Sequence, residues 1–147
     1  MAILDVNVLV ALAWPSHIHH RSAREWFDSE GKNGWATCPI TQSGFIRVSS
    51  NPRAVDPAVS PREARALLNQ IVHLGRHEFW PADLDFLSDS KIPLRDVMGY
   101  RQVTDAYLLG LTIEHHGILV TFDGAIPDLL PGNSPHRAVI HLLLPKY

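Results

Sequence analysis

Residues 103–123 read VTDAYLLGLTIEHHGILVTFD, and this stretch decides the fold class. Apolar residues on every side predict a buried helix over residues 103–116, ended by Gly117. The run Ile118-Leu119-Val120 is purely apolar and stops at Thr121, which is typical of a strand inside a parallel sheet. A sandwiched helix joined to a buried strand predicts a sheet that is covered on both faces.

The rest of the chain continues this alternation of helices and strands. Further strands are predicted over residues 2–4, 35–38, 77–80 and 138–143. Further helices are predicted over residues 8–14 behind an Asn7 N-cap, 19–30, 41–50, 61–74 behind a Ser60 capping box, and 83–89. We therefore expect an α/β fold, a three-layer α/β/α sandwich around a central, mostly parallel sheet, as a single domain over residues 1–147.

Composition narrows the class of protein. The chain has 147 residues, 46% of them hydrophobic, with 13 basic and 15 acidic side chains and a net charge of −2. This charge excludes a generally basic nucleic-acid binder, so any RNA contact has to be local. We expect no secretory signal and no membrane span, since no apolar stretch approaches about 20 residues. The single cysteine, Cys38, predicts a core position in a protein of the reducing cytoplasm.

Three acidic residues are predicted to meet at one edge of the sheet. Asp5 and Asp123 each follow an apolar strand, and the carboxyl ends of parallel strands form the ligand-binding edge of open α/β sheets. Asp105 lies in the first turn of the 103–116 helix, which begins at the same edge if it runs antiparallel to the strand that follows it. Three acids from distant parts of the chain should therefore converge.

Converging carboxylates raise one another's pKa unless a cation is present. Mg²⁺ or Mn²⁺ fits such a site, because these ions prefer oxygen ligands, activate water and neutralise charge on phosphate. That chemistry is phosphodiester hydrolysis. Each acid also has an ordinary structural explanation: Asp5 and Asn7 as helix caps, Asp105 as a first-turn residue, and Asp123 as a turn residue.

Four blocks of the sequence resemble, in the right order, those of PIN domains of the VapC toxin type. They are ILDVNVL at residues 3–9, TQSGFIRV at 41–48 with Asn51-Pro52, QVTDAYLL at 102–109, and TFD at 121–123. This resemblance implies a metal-dependent endoribonuclease that forms a homodimer and is inhibited by a cognate antitoxin. Carried over by motif, the catalytic and metal-binding residues are Asp5, Asp105 and Asp123, with Asn7, Gln42, Thr104 and Thr121 in support.

The second block departs from the family pattern at one position. Much of the family has a glutamate where this chain has Gln42, and an amide brings neither negative charge nor a base. We therefore expect one tightly held ion, with any second ion arriving with the substrate. If Gln42 lies in the metal site, Gln42→Glu should tighten Mn²⁺ binding.

Other polar and aromatic residues have weaker functional interpretations. Arg47 and Arg101 are the basic residues closest in sequence to the blocks, and they are predicted either to bind RNA phosphates or to form salt bridges. Trp26-Phe27 is predicted to be a core or dimer contact rather than a base-stacking platform. The histidines 17, 19 and 20 are predicted to lie on a solvated face rather than to form a metal site.

Two alternative functions remain open. A phosphotransferase of the haloacid-dehalogenase type also begins with a strand and an aspartate, but it needs a second aspartate where Asn7 stands and a lysine partner. The lysines available are Lys32, Lys91 and Lys146. The other alternative is a PIN-fold module that binds RNA or a protein partner without turnover, and Gln42 is its only support.

Overall fold

The computed structural model describes residues 1–87, 91–97 and 99–144. Its strands are β1 (Ala2–Leu4), β2 (Trp35–Thr37), β3 (His77–Phe79), β4 (Ile118–Thr121) and β5 (Ile140–Leu142). They form one sheet in the order β3-β2-β1-β4-β5, and every neighbouring pair is parallel. The central position of β1 places the residue that follows it, Asp5, in the middle of the carboxyl edge of the sheet.

The helices cover both faces of this sheet. They are α1 (Val6–Ala13), α2 (His20–Ser29), α3 (Pro39–Ser49), α4 (Pro61–Ile71) and α5 (Val103–Glu114). Side chains alternate along β1, so that Leu4 packs in one core with α1 to α4 while Ile3 packs in a second core with α5. The predicted three-layer α/β/α sandwich is thus confirmed.

The start of α1 differs from the prediction. Asn7 was expected to cap a helix beginning at Val8, but the N-cap is Asp5 and the helix begins at Val6. The Asp5 Oδ1 atom accepts a hydrogen bond of 2.7 Å from the Val6 amide. Asn7 is then a helical residue, and its side chain is free to reach across to β4.

Two other helix ends also lie elsewhere than predicted. The third helix begins at Pro39 rather than Thr41, because Cys38 is the N-cap and its amide donates to Thr41 Oγ1 at 3.0 Å. At the end of α5 the left-handed residue is His116, with φ 53°, and not Gly117. Gly117 is required for another reason: a Cβ there would lie 2.8 Å from the Met1 carbonyl oxygen.

The remaining predicted elements agree with the structure to different extents. The Ser60 capping box with Glu63 is confirmed, although α4 ends at Ile71, three residues early. No helix covers residues 83–87, while 88 and 89 lie outside the described residues. The last strand is shorter than predicted, because residue 138 belongs to the 3-10 helix Pro135–Val139.

Burial supports the core predictions. Trp26 and Phe27 are buried among the helices of the first core, and Cys38 is buried in the second. Within the described ranges, none of the helices has both the length and the apolar character needed to cross a membrane.

Candidate active site

Asp5 is held in a fixed orientation at the carboxyl end of β1. Its amide donates to the Val120 carbonyl oxygen at 2.9 Å, which continues the pairing of β1 with β4. Its side chain is only 7% exposed, and both carboxylate oxygens accept hydrogen bonds. Burial raises the pKa of the Asp5 carboxyl, while hydrogen bonds from Thr121 and Val6 oppose that rise.

Thr121, the last residue of β4, connects the groups of the site. Its Oγ1 donates to Asp5 Oδ2 at 2.7 Å and accepts from the Asp123 amide at 2.9 Å. The hydroxyl also accepts a bond of 3.3 Å from Asn7 Nδ2. Because Thr121 is fully buried, these bonds are shielded from water, and the hydroxyl links the ends of β1 and β4.

Asn7 secures the same connection from the first turn of α1. Its Nδ2 also lies 3.3 Å from Asp5 Oδ2, and its Oδ1 accepts a bond of 3.2 Å from the Phe122 amide. One amide group thus binds both the carboxylate and the backbone just before Asp123. The VapC resemblance implies that Asn7 orients a carboxylate or a water, and this role stays a prediction.

Asp105 also has a raised pKa in this site. Burial raises its pKa to about 6, and the charges of Asp5 and Asp123 contribute to the rise. The dipole of α5 favours an anion in the first helical turn, but burial and the two like charges outweigh it here. Asp105 lines the same cavity as the other two acids, as the sequence predicted.

The three acids line one cavity of about 380 Å³, which we call the acid cavity. Its lining residues are Asp5, Val6, Asn7, Val10, His17, Val48, Ala54, Asp105 and Asp123. Helix α3 can approach this cavity closely because it has Gly44, where a Cβ would lie 2.4 Å from Val6 Cγ2. The site therefore combines carboxylates from three separate segments of the chain.

The donor set of the acid cavity has the chemistry that a hard divalent cation prefers. Carboxylate oxygens are the usual ligands of Mg²⁺, which is often held by one or two of them and keeps several waters. Among the described residues, no group of three His, Cys, Asp or Glu side chains is arranged so that it could hold a metal ion by itself. The carboxylate oxygens of the acid cavity are nevertheless the kind of ligand that Mg²⁺ prefers, with water completing its coordination.

Four of the residues singled out from the sequence lie elsewhere. Gln42 Nε2 donates to Thr37 Oγ1 at 3.0 Å, and Gln42 lines a different cavity, between α3 and α4. Arg47, Arg101 and Thr104 are exposed and do not line the acid cavity. The Arg101 guanidinium instead lies 5.7 Å from the centre of the Tyr100 ring.

His17 is a residue of the cavity wall that the sequence did not indicate. It was grouped with His19 and His20 on a predicted solvated face, but its side chain is half-buried and lines the acid cavity. His17 lies outside the four motif blocks, so the resemblance did not point to it. No pattern in the sequence of the connection after α1 places His17 beside the acids.

Comparison with known proteins agrees with this geometry. The family described as PIN domain matches residues 2–129 of the chain. The chain belongs to the PIN-domain family. Within this family it is similar to proteins named ribonuclease VapC from Mycobacterium tuberculosis.

Three of these PIN-domain relatives show how far the similarity extends. Ribonuclease VapC38 is 49% identical over 126 residues, covering 86% of this chain and 87% of that protein. Ribonuclease VapC39 is 44% identical, with 86% and 91% covered, and ribonuclease VapC44 is 45% identical, with 85% and 87% covered. The matched region includes all four blocks, so the chain belongs to the VapC branch of the PIN-domain family.

Membership of the PIN-domain family also agrees with where the lysines lie. The haloacid-dehalogenase alternative needs a lysine beside the first aspartate. Lys32 precedes β2, at the opposite edge of the sheet, and Lys91 forms an ion pair with Glu114 at the far end of α5. Lys146 lies outside the described residues. Among the described lining residues of the acid cavity there is no lysine.

Proposed function

We propose that this chain is a ribonuclease toxin of the VapC type, which hydrolyses RNA phosphodiester bonds with a divalent metal ion bound at the acid cavity. One observation carries this proposal: Asp5, Asp105 and Asp123, from three separate segments of the chain, line a single cavity. Like charges that are brought together from three segments point to a positively charged ligand. The ribonuclease activity is inferred from the names of the VapC relatives.

Asp5, Asp105 and Asp123 are the residues that would hold Mg²⁺ or Mn²⁺. When bound, the ion supplies positive charge that stabilises the reacting phosphate and makes water more acidic. The chain itself supplies orientation, since Thr121 and Asn7 fix the Asp5 carboxylate before any ligand arrives. A site held in this way loses little free energy to reorganisation during the reaction.

Asp105 differs from Asp5 in how the protein engages its carboxylate. Without a cation, burial and the charges of Asp5 and Asp123 raise the pKa of Asp105 to about 6, and a bound divalent cation would lower it. The Asp105 carboxylate also makes no hydrogen bond with another described residue. Asp5, in contrast, already has both oxygens engaged. Asp5 would therefore bind the ion in a fixed orientation, whereas the Asp105 carboxylate can adjust to the ion and its waters.

The alternative of a catalytically weakened module that binds RNA or a protein partner depends on Gln42. Gln42 bonds to Thr37 and lines the other cavity, so its missing charge does not weaken the group of three acids. The three acids themselves are intact. This arrangement favours the enzyme over the binding module.

The partners and setting of the proposed toxin rest on the VapC resemblance. RNA is the substrate, and a small cognate antitoxin is the inhibitory protein partner. Homodimerisation, a cytoplasmic location and a single PIN domain over residues 1–147 remain predictions. Arg47 and Arg101 stay candidates for binding RNA phosphates outside the cavity, since both side chains are exposed.

Cleavage of a mixed pool of labelled RNAs tests the proposed function. The purified chain would be incubated with the pool and Mg²⁺ or Mn²⁺, beside Asp5→Asn and the matched control Asp28→Asn. Asp28 lies on α2 and pairs with Arg24 at the surface, so its loss leaves the acid cavity unchanged. We expect wild type and Asp28→Asn to cleave RNA, and we expect Asp5→Asn or a chelator to reduce cleavage by about 10³-fold or more.

Other outcomes would contradict the proposal in recognisable ways. Equal cleavage by wild type and Asp5→Asn would indicate a contaminating nuclease. RNA retention that depends on metal but proceeds without cleavage would favour the binding module.

A further inference from the structure

His17 lies in the wall of the acid cavity together with the three acids. Only two described lining residues, Asn7 and His17, have side-chain N–H groups. The Asn7 amide is already engaged, because its Nδ2 contacts both Asp5 and Thr121. His17 is thus the remaining side-chain N–H donor among the described residues of this wall. A phosphodiester that enters this cavity has negatively charged oxygens, and these oxygens can accept a hydrogen bond from such a donor.

The hydrogen bonds of His17 determine which ring nitrogen carries the proton. The His19 amide donates to His17 Nδ1 at 3.0 Å, so Nδ1 presents a lone pair. In the neutral imidazole the proton therefore lies on Nε2. Burial and the neighbouring His19 and His20 lower the pKa of His17, which favours this neutral form. No hydrogen bond joins Nε2 to another described residue.

The segment that carries His17 is fixed to the edge of the sheet. The His17 amide donates to the Trp14 carbonyl at 2.9 Å, and the His17 carbonyl accepts from the His20 amide at 3.0 Å. The His19 ring stacks on Phe122, with centroids 4.8 Å apart and an interplanar angle of 26°. Since Phe122 directly precedes Asp123, this stacking holds the His17 segment next to the acids. The donor is therefore positioned before RNA binds.

We propose that His17 is a catalytic residue that touches the substrate, its Nε2–H donating a hydrogen bond to a non-bridging oxygen of the RNA phosphodiester in the acid cavity. The proposal rests on the RNA-hydrolysing function proposed above. A neutral donor binds the phosphate oxygen without adding charge to the site. The bond strengthens as negative charge grows on that oxygen during attack by water, so it lowers the barrier. The proton stays on Nε2 throughout.

Two substitutions separate the donor at Nε2 from the acceptor at Nδ1. Asparagine reaches about as far as Nδ1, so His17→Asn keeps an acceptor for the His19 amide but has no atom at Nε2. Glutamine extends to the position of Nε2, so His17→Gln keeps a donor there and loses the local bond. We expect His17→Asn to lower kcat for RNA cleavage about 10- to 100-fold with KM changed less than about threefold. His17→Gln should restore most of kcat.

Calorimetric titration with Mn²⁺ and thermal unfolding complete the test. We expect the Mn²⁺ affinity of His17→Asn to stay within about twofold of wild type, and its Tm to stay close to wild type, because the local bond is kept. Loss of Mn²⁺ binding would make His17 a metal ligand and overturn the proposal. Loss of kcat in His17→Gln with normal kcat in His17→Asn would assign His17 a role in holding its segment.

The proposed function and the role of His17 can fail separately. If wild type cleaves RNA and His17→Asn has the same kcat, the role of His17 is overturned while the ribonuclease stands. If wild type leaves all RNA intact with either metal, the proposed function is overturned, and the role of His17 with it.

Discussion

The acid cavity and the cavity between α3 and α4 differ in a way that size does not reveal. The α3–α4 cavity is the larger, about 530 Å³ against about 380 Å³. It is lined by the basic side chains of Arg62 and Arg65 and by neutral polar groups such as Asn69 and Gln42. Neither arginine makes an ion pair with another described residue. The acid cavity, in contrast, concentrates three like charges.

Organisation, rather than volume, distinguishes the acid cavity from the α3–α4 cavity. In the acid cavity, Thr121 and Asn7 donate hydrogen bonds to Asp5 and accept them from the Asp123 and Phe122 amides. In the α3–α4 cavity, the Gln42 side chain donates to Thr37 Oγ1, and neither arginine is held by an ion pair with a described residue. Charges that are held together against their repulsion need a structure that keeps them there, and the hydrogen-bonded group around Thr121 provides it.

Among substitutions that disturb the hydrogen bonds of the acid cavity, Thr121→Val should have the largest effect. Valine keeps the shape but removes a buried hydroxyl that bonds to Asp5, Asn7 and the Asp123 amide. We expect RNA cleavage to fall about 10- to 100-fold. We also expect Tm to fall by about 5 °C, because unsatisfied buried partners cost about 1–3 kcal/mol.

Thr121→Ser and Arg65→Ala serve as controls for that experiment. Serine retains the hydroxyl, so Thr121→Ser should keep most of the activity. Arg65 belongs to the α3–α4 cavity and has no fixed partner among the described residues, so Arg65→Ala should change cleavage by less than about threefold. A larger loss in Arg65→Ala than in Thr121→Val would move the active site to the α3–α4 cavity.

Burial of Asp105, together with the charges of Asp5 and Asp123, predicts a pH-dependent gain in stability on Asp105→Asn without metal. The pKa of Asp105 is raised from 3.8 to about 6, so the folded chain holds a proton that the unfolded chain has released between these values. The destabilising contribution is therefore absent below about pH 4 and complete above about pH 6. We expect Asp105→Asn to raise Tm by about 3 °C near pH 7.5 and to leave it unchanged near pH 4.

Thermal unfolding in chelator across this pH range checks the prediction for Asp105. Asp28→Asn, at the surface of α2, is the control and should show little pH-dependent difference from wild type. A Tm for Asp105→Asn that stays below wild type at every pH would show that the ionised carboxylate stabilises the fold, contrary to repulsion among the three acids.

The smallest effect is expected for Gln42→Glu. The sequence alone predicts tighter Mn²⁺ binding if position 42 lies in the metal site. In the structure, position 42 faces Thr37 and the cavity that contains Arg62 and Arg65. We therefore expect the Mn²⁺ affinity, measured by calorimetry, to change by less than about twofold. Tightening of about tenfold or more would return Gln42 to the metal site.

The sequence predicted the fold class well, because the relevant signals are local. Apolar runs mark β1 and β4, and the capping box at Ser60 marks the start of α4. The ends of elements were less certain, since several polar residues can cap the same turn. Asp5 rather than Asn7 caps α1, and the difference depends on the hydrogen bond that Asp5 forms with Val6.

The convergence of the acids could also be predicted, whereas the groups around them could not. The positions of Asp5 and Asp123 after strands, and of Asp105 at a helix start, follow from the rule that parallel strands share one carboxyl edge. The position of His17 does not, because the connection after α1 has no periodic pattern that fixes its path.

The sequence by itself determined the alternation of strands and helices, the two covered faces of the sheet, and the identity of three acids at one edge. These features follow from residue spacing within single elements. Only the tertiary structure decided that Thr121 binds Asp5 across 116 positions of sequence, that His17 lines the acid cavity, and that Gln42 lines another. Such contacts depend on how distant segments pack, and the sequence pattern within one segment does not specify that packing.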